Sequence, residues 1–123
     1  MAASAHRKLG LKSRSASKEE PHLKALRIAT GILKRTLKDN LYDQKECTKE
    51  SDKLDSMKAS SSEPHDIAKQ EEILAECTAS LERSRDKIVP ATAELTALVT
   101  AVSGDDMESK QYVAAAEVLA SAT

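Results

Sequence analysis

Few side chains in this 123-residue chain are suited to act on a substrate, and their spacing does not assemble a reactive centre. His6, His22 and His65 stand apart, with no histidine at i+4 and no cysteine pair nearby, so the ligand spacing of a zinc site is missing. The three glycines, Gly10, Gly31 and Gly104, fit neither phosphate-cradling loop pattern. Paired carboxylates at Glu71-Glu72 and Asp105-Asp106 read as a solvated helix surface and a helix start, because a slim bundle offers no apolar pocket to raise a carboxyl pKa. Cys47 and Cys77 are the remaining reactive groups: two small residues in a thin core layer, or a redox pair, of which packing is the simpler account. No enzyme activity, metal or cofactor is expected.

The composition points to long helices. There is no Trp, no Phe and only two Tyr, so the core must be built from aliphatic residues, and three Gly with three Pro allow few tight turns. Charged residues make up 32% with a net of −1, a mixed surface that suits exposed helix faces better than a nucleic-acid groove. The charge is uneven: Arg7, Lys8, Lys12, Arg14 and Lys18 fall in residues 1–18 with no acid, leaving fourteen basic against twenty acidic groups beyond. That Ser-, Ala- and basic-rich segment lacks periodic hydrophobes and reads as a disordered tail, with a transit peptide as the alternative. No run is long and apolar enough for a membrane span. Two cysteines with no apolar leader before them suggest a reducing compartment and a soluble protein.

The spacing predicts an all-α, antiparallel up-down-up bundle over residues 19–123, a spectrin-like coiled-coil rod with a shorter third helix. Its helices are expected at about 20–58, 64–102 and 105–122. Ser17, Glu20 and Pro21 form the first start signal. Leu23, Leu26, Thr30, Leu33 and Leu37 then step by three and four, and the same seam continues through Asn40, Gln44, Cys47 and Ser51 to Leu54. Gly31 on this helix marks a close helix approach or a tolerated surface glycine. After the serine-rich loop segment at 59–65, in which Pro64 suits a first helical turn, Ile67, Leu74, Leu81, Ile88, Leu95 and Val102 recur every seven residues, with Gln70, Cys77, Ser84, Ala91 and Leu98 between them. Pro90 lies inside this pattern and predicts a bend without a break. Gly104 is placed to close the second helix, and Asp105 with Glu108 to cap a third that presents Tyr112, Ala115, Leu119 and Ala122.

A turn near Ser62 sets Cys47 beside Cys77, Leu37 near Ile88 and Leu26 near Leu98. The third helix then covers only the half of the rod containing Leu23 to Leu37. Leu41, Tyr42 and Ile73 are apolar, off the seam, and at or beyond the end of that cover: either a contact surface or a widened two-helix seam.

The residues carry a resemblance. The run Asp66-Ile67-Ala68-Lys69-Gln70-Glu71-Glu72-Ile73-Leu74-Ala75-Glu76 resembles the DIxKQxEILxE signature of the tubulin-specific chaperone A, or tubulin-binding cofactor A, family. The stretch LRIATGILKRTLKD from Leu26 to Asp39 is similar to that family's first helix, and the segment around Tyr112 to its third. The likeness runs from about Leu26 to the end; the first twenty or so residues have no recognisable counterpart, and 81–90 match in hydrophobic positions alone. It implies a cytoplasmic, cytoskeleton-associated folding factor that takes β-tubulin from the cytosolic chaperonin and passes it to the other tubulin-folding cofactors, using no nucleotide. It implies Lys34, Arg35, Lys69, Gln70, Glu72 and Ile73 as partner-binding positions, to which the off-seam pair Leu41 and Tyr42 is added. No nucleic-acid or membrane partner is expected. A monomer is expected, with a homodimer possible through the two-helix half. The rival functions are a homodimerising coiled-coil scaffold without tubulin specificity and an organellar or membrane-surface protein directed by its basic N-terminus.

Overall fold

The computed structural model describes residues 19–122. The expected basic tail at 1–18 lies outside the described residues. Helix α1 spans Pro21–Ala59, α2 spans Pro64–Thr100, a 3-10 turn covers Gly104–Glu108, and α3 spans Lys110–Ala122. At about 1.5 Å per residue the two long helices are rods of nearly 60 Å, while α3 reaches about 20 Å. All three pack on one another, the first two along their length, giving the up-down-up bundle with its short third helix.

The helix ends follow local chemistry, with two corrections. The start of α1 has Glu20 as N-cap and Pro21 just inside, but no side chain caps it. The expected Ser17–Glu20 exchange is therefore not made by Glu20, and Ser17 lies outside the described residues. Pro21 has no amide hydrogen to satisfy, and the neighbouring Glu19 is held elsewhere: it accepts from Arg27 Nη2 at 3.0 Å and from Gln111 Nε2 of α3 at 2.8 Å. These bonds, Arg27's first, hold the Glu19 carboxyl below its usual pKa. At the other end Ser61 takes a left-handed φ of 60°, and the Ser62 amide donates to the Met57 carbonyl at 3.0 Å, closing α1 with a Schellman turn.

Gly104 adopts the expected left-handed conformation, φ 63°. The segment after it is a 3-10 turn, however, and the α-helix begins five residues later than expected, at Lys110. The cap is Ser109 in place of Asp105: its hydroxyl accepts from the Tyr112 amide at 3.2 Å and donates to the Asp106 carbonyl at 2.6 Å. Asp106 meanwhile meets His22 Nε2 at 2.7 Å, which ties the turn to the first turn of α1. Ser109→Ala is expected to lower stability by about 1 kcal/mol, read as a shifted urea midpoint. An unchanged midpoint would leave the start of α3 to packing alone.

The sevenfold pattern holds through Pro90. Helix α2 is continuous there, and Pro90 is exposed, so its missing hydrogen bond falls on the water side while Ile88, Ala91 and Leu95 stay on the packed side. The expected seam positions of α2 are all buried or half-buried; in α1 one differs, since Gln44 is exposed and donates to Asn40 Oδ1 at 2.6 Å. Gly31 marks no close approach: a Cβ there would meet the tip of the Arg35 side chain at 3.9 Å.

The core is divided in character. Under α3, Leu23, Leu26, Ala29, Leu33, Leu95 and Ala115 form one buried cluster, flanked by Leu37, Leu98, Tyr112 and Leu119. Beyond the end of α3 the buried residues are Asn40, Ser84, Gln70 and, near the tip, Leu54. The Asn40 amide donates to Ser84 Oγ at 3.1 Å, which fixes the hairpin at the register expected from the turn near Ser62.

Candidate interaction surface

One heptad from the Asn40–Ser84 pair towards the hairpin tip, the same register sets Cys47 opposite Cys77. Both are free and half-buried. Burial pushes the Cys77 thiol above its ordinary pKa, and a thiolate at Cys47, then the carboxylates of Glu50, Glu46 and Asp43, push it further. A thiol in an acidic, partly desolvated setting is poorly ionised and a weak nucleophile. This favours the packing account of the pair.

The expected partner-binding positions do not form one patch. Lys34 and Arg35 are exposed on α1 beside the three-helix half, whereas Lys69 and Glu72 are exposed on α2 near the hairpin tip. With the register fixed as above, the two groups sit about 30 Å apart along the rod. Gln70 is not at the surface at all. It is 3% exposed, and its Nε2 donates both to the Glu50 carbonyl at 3.0 Å and to Glu50 Oε1 at 2.7 Å. Its side chain clamps α2 to α1 and has no donor free for a partner. The family resemblance offered Gln70 as a contact position, whereas its place in the heptad seam is an inner one, and the inner placement is what the structure has.

The three off-seam apolar residues also separate. Tyr42 (63% exposed), Leu41 (56%) and Ile73 (37%) are too exposed to widen the seam between the helices. Tyr42 and Ile73 line one groove together with Asp43, Glu46, Glu76 and Cys77. Leu41 lies apart, among Gln44, Lys45, Thr48, Lys49 and Asp52, with no residue of α2 beside it. The groove continues towards α3 between Asp39 of α1 and Arg83 and Lys87 of α2. Along α1 its lining Thr36 and Asp43 follow Ala29 at steps of seven, so the three lie on one side of the helix. Ala29 is off the seam with α2 yet buried in the cluster that contains Ala115 of α3. The groove is thus the bed of α3, prolonged past its last residue.

Sequence reasoning missed the acids of this groove. Asp39, Tyr42, Asp43 and Glu46 step by three, four or one along α1, and Ile73, Glu76, Ser80, Arg83 and Lys87 do so along α2. That spacing assigns each set to one helix face, and was the available signal. Among the described residues no group of three or more His, Cys, Asp or Glu could hold a metal ion, and no helix is long and apolar enough to cross a membrane.

Comparison with known proteins agrees with the fold and the motifs. Residues 21–119 match the family model described as tubulin binding cofactor A. The tubulin-specific chaperone A of Bos taurus is 30% identical over 100 residues, covering 81% of this chain and 92% of its own, and that of Gallus gallus is 32% identical over 80 residues, covering 65% and 74%. The solved structure of human tubulin chaperone cofactor a superimposes with a TM-score of 0.73 at 29% identity, over 82% of this chain and 97% of that one. With the same helices in the same order and a matching stretch that starts where α1 starts, the chain belongs to the tubulin binding cofactor A family.

Proposed function

We propose that this protein is a tubulin-folding cofactor that binds β-tubulin after its release from the cytosolic chaperonin, keeps it soluble, and hands it to the later cofactors that build the αβ dimer in the cytoplasm. The observation that carries this reading is the family match from residue 21 to residue 119, all but the last three residues of the helical rod. The rod offers long mixed-charge helix faces, so its action is binding: occupancy of an exposed surface of the client lowers the population available for aggregation by mass action. Lys34, Arg35, Lys69, Glu72, Tyr42 and Ile73 are all accessible for such contact. Co-purification from cell extract tests the function. The chain is expected to retain β-tubulin and to leave α-tubulin behind; recovery of both in equal amounts, or of neither, refutes the reading.

A further inference from the structure

We propose that the groove along Tyr42 and Ile73 receives one amphipathic, cationic helix of the β-tubulin client, laid end to end with α3 so that it completes the third layer of the rod; this rests on the tubulin-cofactor reading. The bed has room for a short helix. Its lining on α1 runs from Thr36 to Glu46, about 15 Å, or some three turns of an incoming helix, and α1 itself continues to Ala59. It also has the right chemistry where it is apolar. Tyr42 and Ile73 give an exposed floor flanked by the carboxylates of Asp43, Glu46 and Glu76, while towards α3 Asp39 stands beside the cations Arg83 and Lys87. The Cys77 thiol, which lines the groove, is raised in pKa first by desolvation and then further by nearby negative charge, Glu46 and Asp43 of the groove included, the sign that such a field requires. An apolar stripe with basic flanks is the complement of such a surface.

The charge also selects among occupants. A second copy of the chain docked with its two-fold axis at Tyr42 and Ile73 would set Asp43, Glu46 and Glu76 against their own equivalents, a repulsive arrangement. Residues 1–18 bring five basic side chains, but beyond alanine their apolar residues are only Met1, Leu9 and Leu11, with Gly10 between the two leucines, a poor match to a helix several turns long. A client helix can supply both.

Binding of the full chain to β-tubulin diluted from urea, followed by fluorescence anisotropy, tests the assignment. Tyr42→Asp with Ile73→Asp, and separately Glu46→Lys with Glu76→Lys, are each expected to weaken binding by about tenfold or more. Glu82→Lys, on the opposite side of the hairpin beside Leu74 and Thr78, is expected to stay within about twofold. Wild-type binding is expected to weaken as salt is raised, a measurement that does not depend on any variant folding. Groove variants that bind like the wild type, or wild-type binding indifferent to salt, overturn the assignment while leaving the tubulin-cofactor reading intact. A wild-type chain that fails to bind β-tubulin overturns both. A wild-type dimer in sedimentation that the lysine variants disrupt identifies a second copy as the occupant, and tighter client binding after deletion of residues 1–18 identifies that segment; either result overturns the assignment.

Discussion

Leu95→Ala is expected to remove about 2 to 5 kcal/mol of stability, and Leu81→Ala clearly less, although the two occupy the same heptad position two turns of the pattern apart. The difference lies in what covers them. Leu95 is 0% exposed inside the cluster of Leu26, Leu33 and Ala115, where all three helices meet, so deleting its side chain leaves a void that neighbours from three directions hold open. Leu81 is half-buried in the two-helix half, where solvent already reaches its flank and the site can relax. Urea unfolding at constant slope reads both losses. Equal losses would mean that α3 adds nothing to the packing of the rod.

Gln70→Ala gives the second large effect, about 1 to 3 kcal/mol, and it separates two roles for one residue. As a clamp, Gln70 spans the hairpin with two donor bonds to Glu50 from a site almost closed to water. Its removal leaves a gap in the seam and a half-buried glutamate without its donor. As a client contact it would instead lower β-tubulin binding and leave the urea midpoint in place. The structure predicts the first outcome: a lower midpoint, with binding of the remaining folded fraction unchanged.

Long-range organisation was readable from the sequence because it rests on period. A repeat of seven sustained from Ile67 specifies one helix, which packing on both sides of Pro90 carries to Thr100 despite the missing amide, two residues short of the last member of the pattern, Val102. The register was readable too, because a short loop leaves little freedom in how two antiparallel helices align; the Asn40–Ser84 hydrogen bond meets that expectation. What escaped was local and lateral. The cap of α3 fell to Ser109 because the chain first makes a 3-10 turn, and no signal in Asp105 or Glu108 distinguishes that turn from a helix start. Side placement around the rod was harder still. Leu41 and Tyr42 are neighbours in the chain, yet a rotation of about 100° between consecutive helical residues sends them to different faces, and only the position of α3 says which face is the open bed. The family motif around Lys69 and Gln70 named the segment correctly, but a motif does not state which of its members point inward.

The change from an aliphatic core under α3 to a polar layer beyond it makes this rod a zip with unequal teeth. Where Leu26, Leu33 and Leu95 interlock, amides are released only when the entire molecule comes undone, whereas near the hairpin tip a few hydrogen bonds and Leu54 guard the backbone. The tip is therefore expected to fray first and to reclose around the Asn40–Ser84 key, leaving the rod with one compliant end.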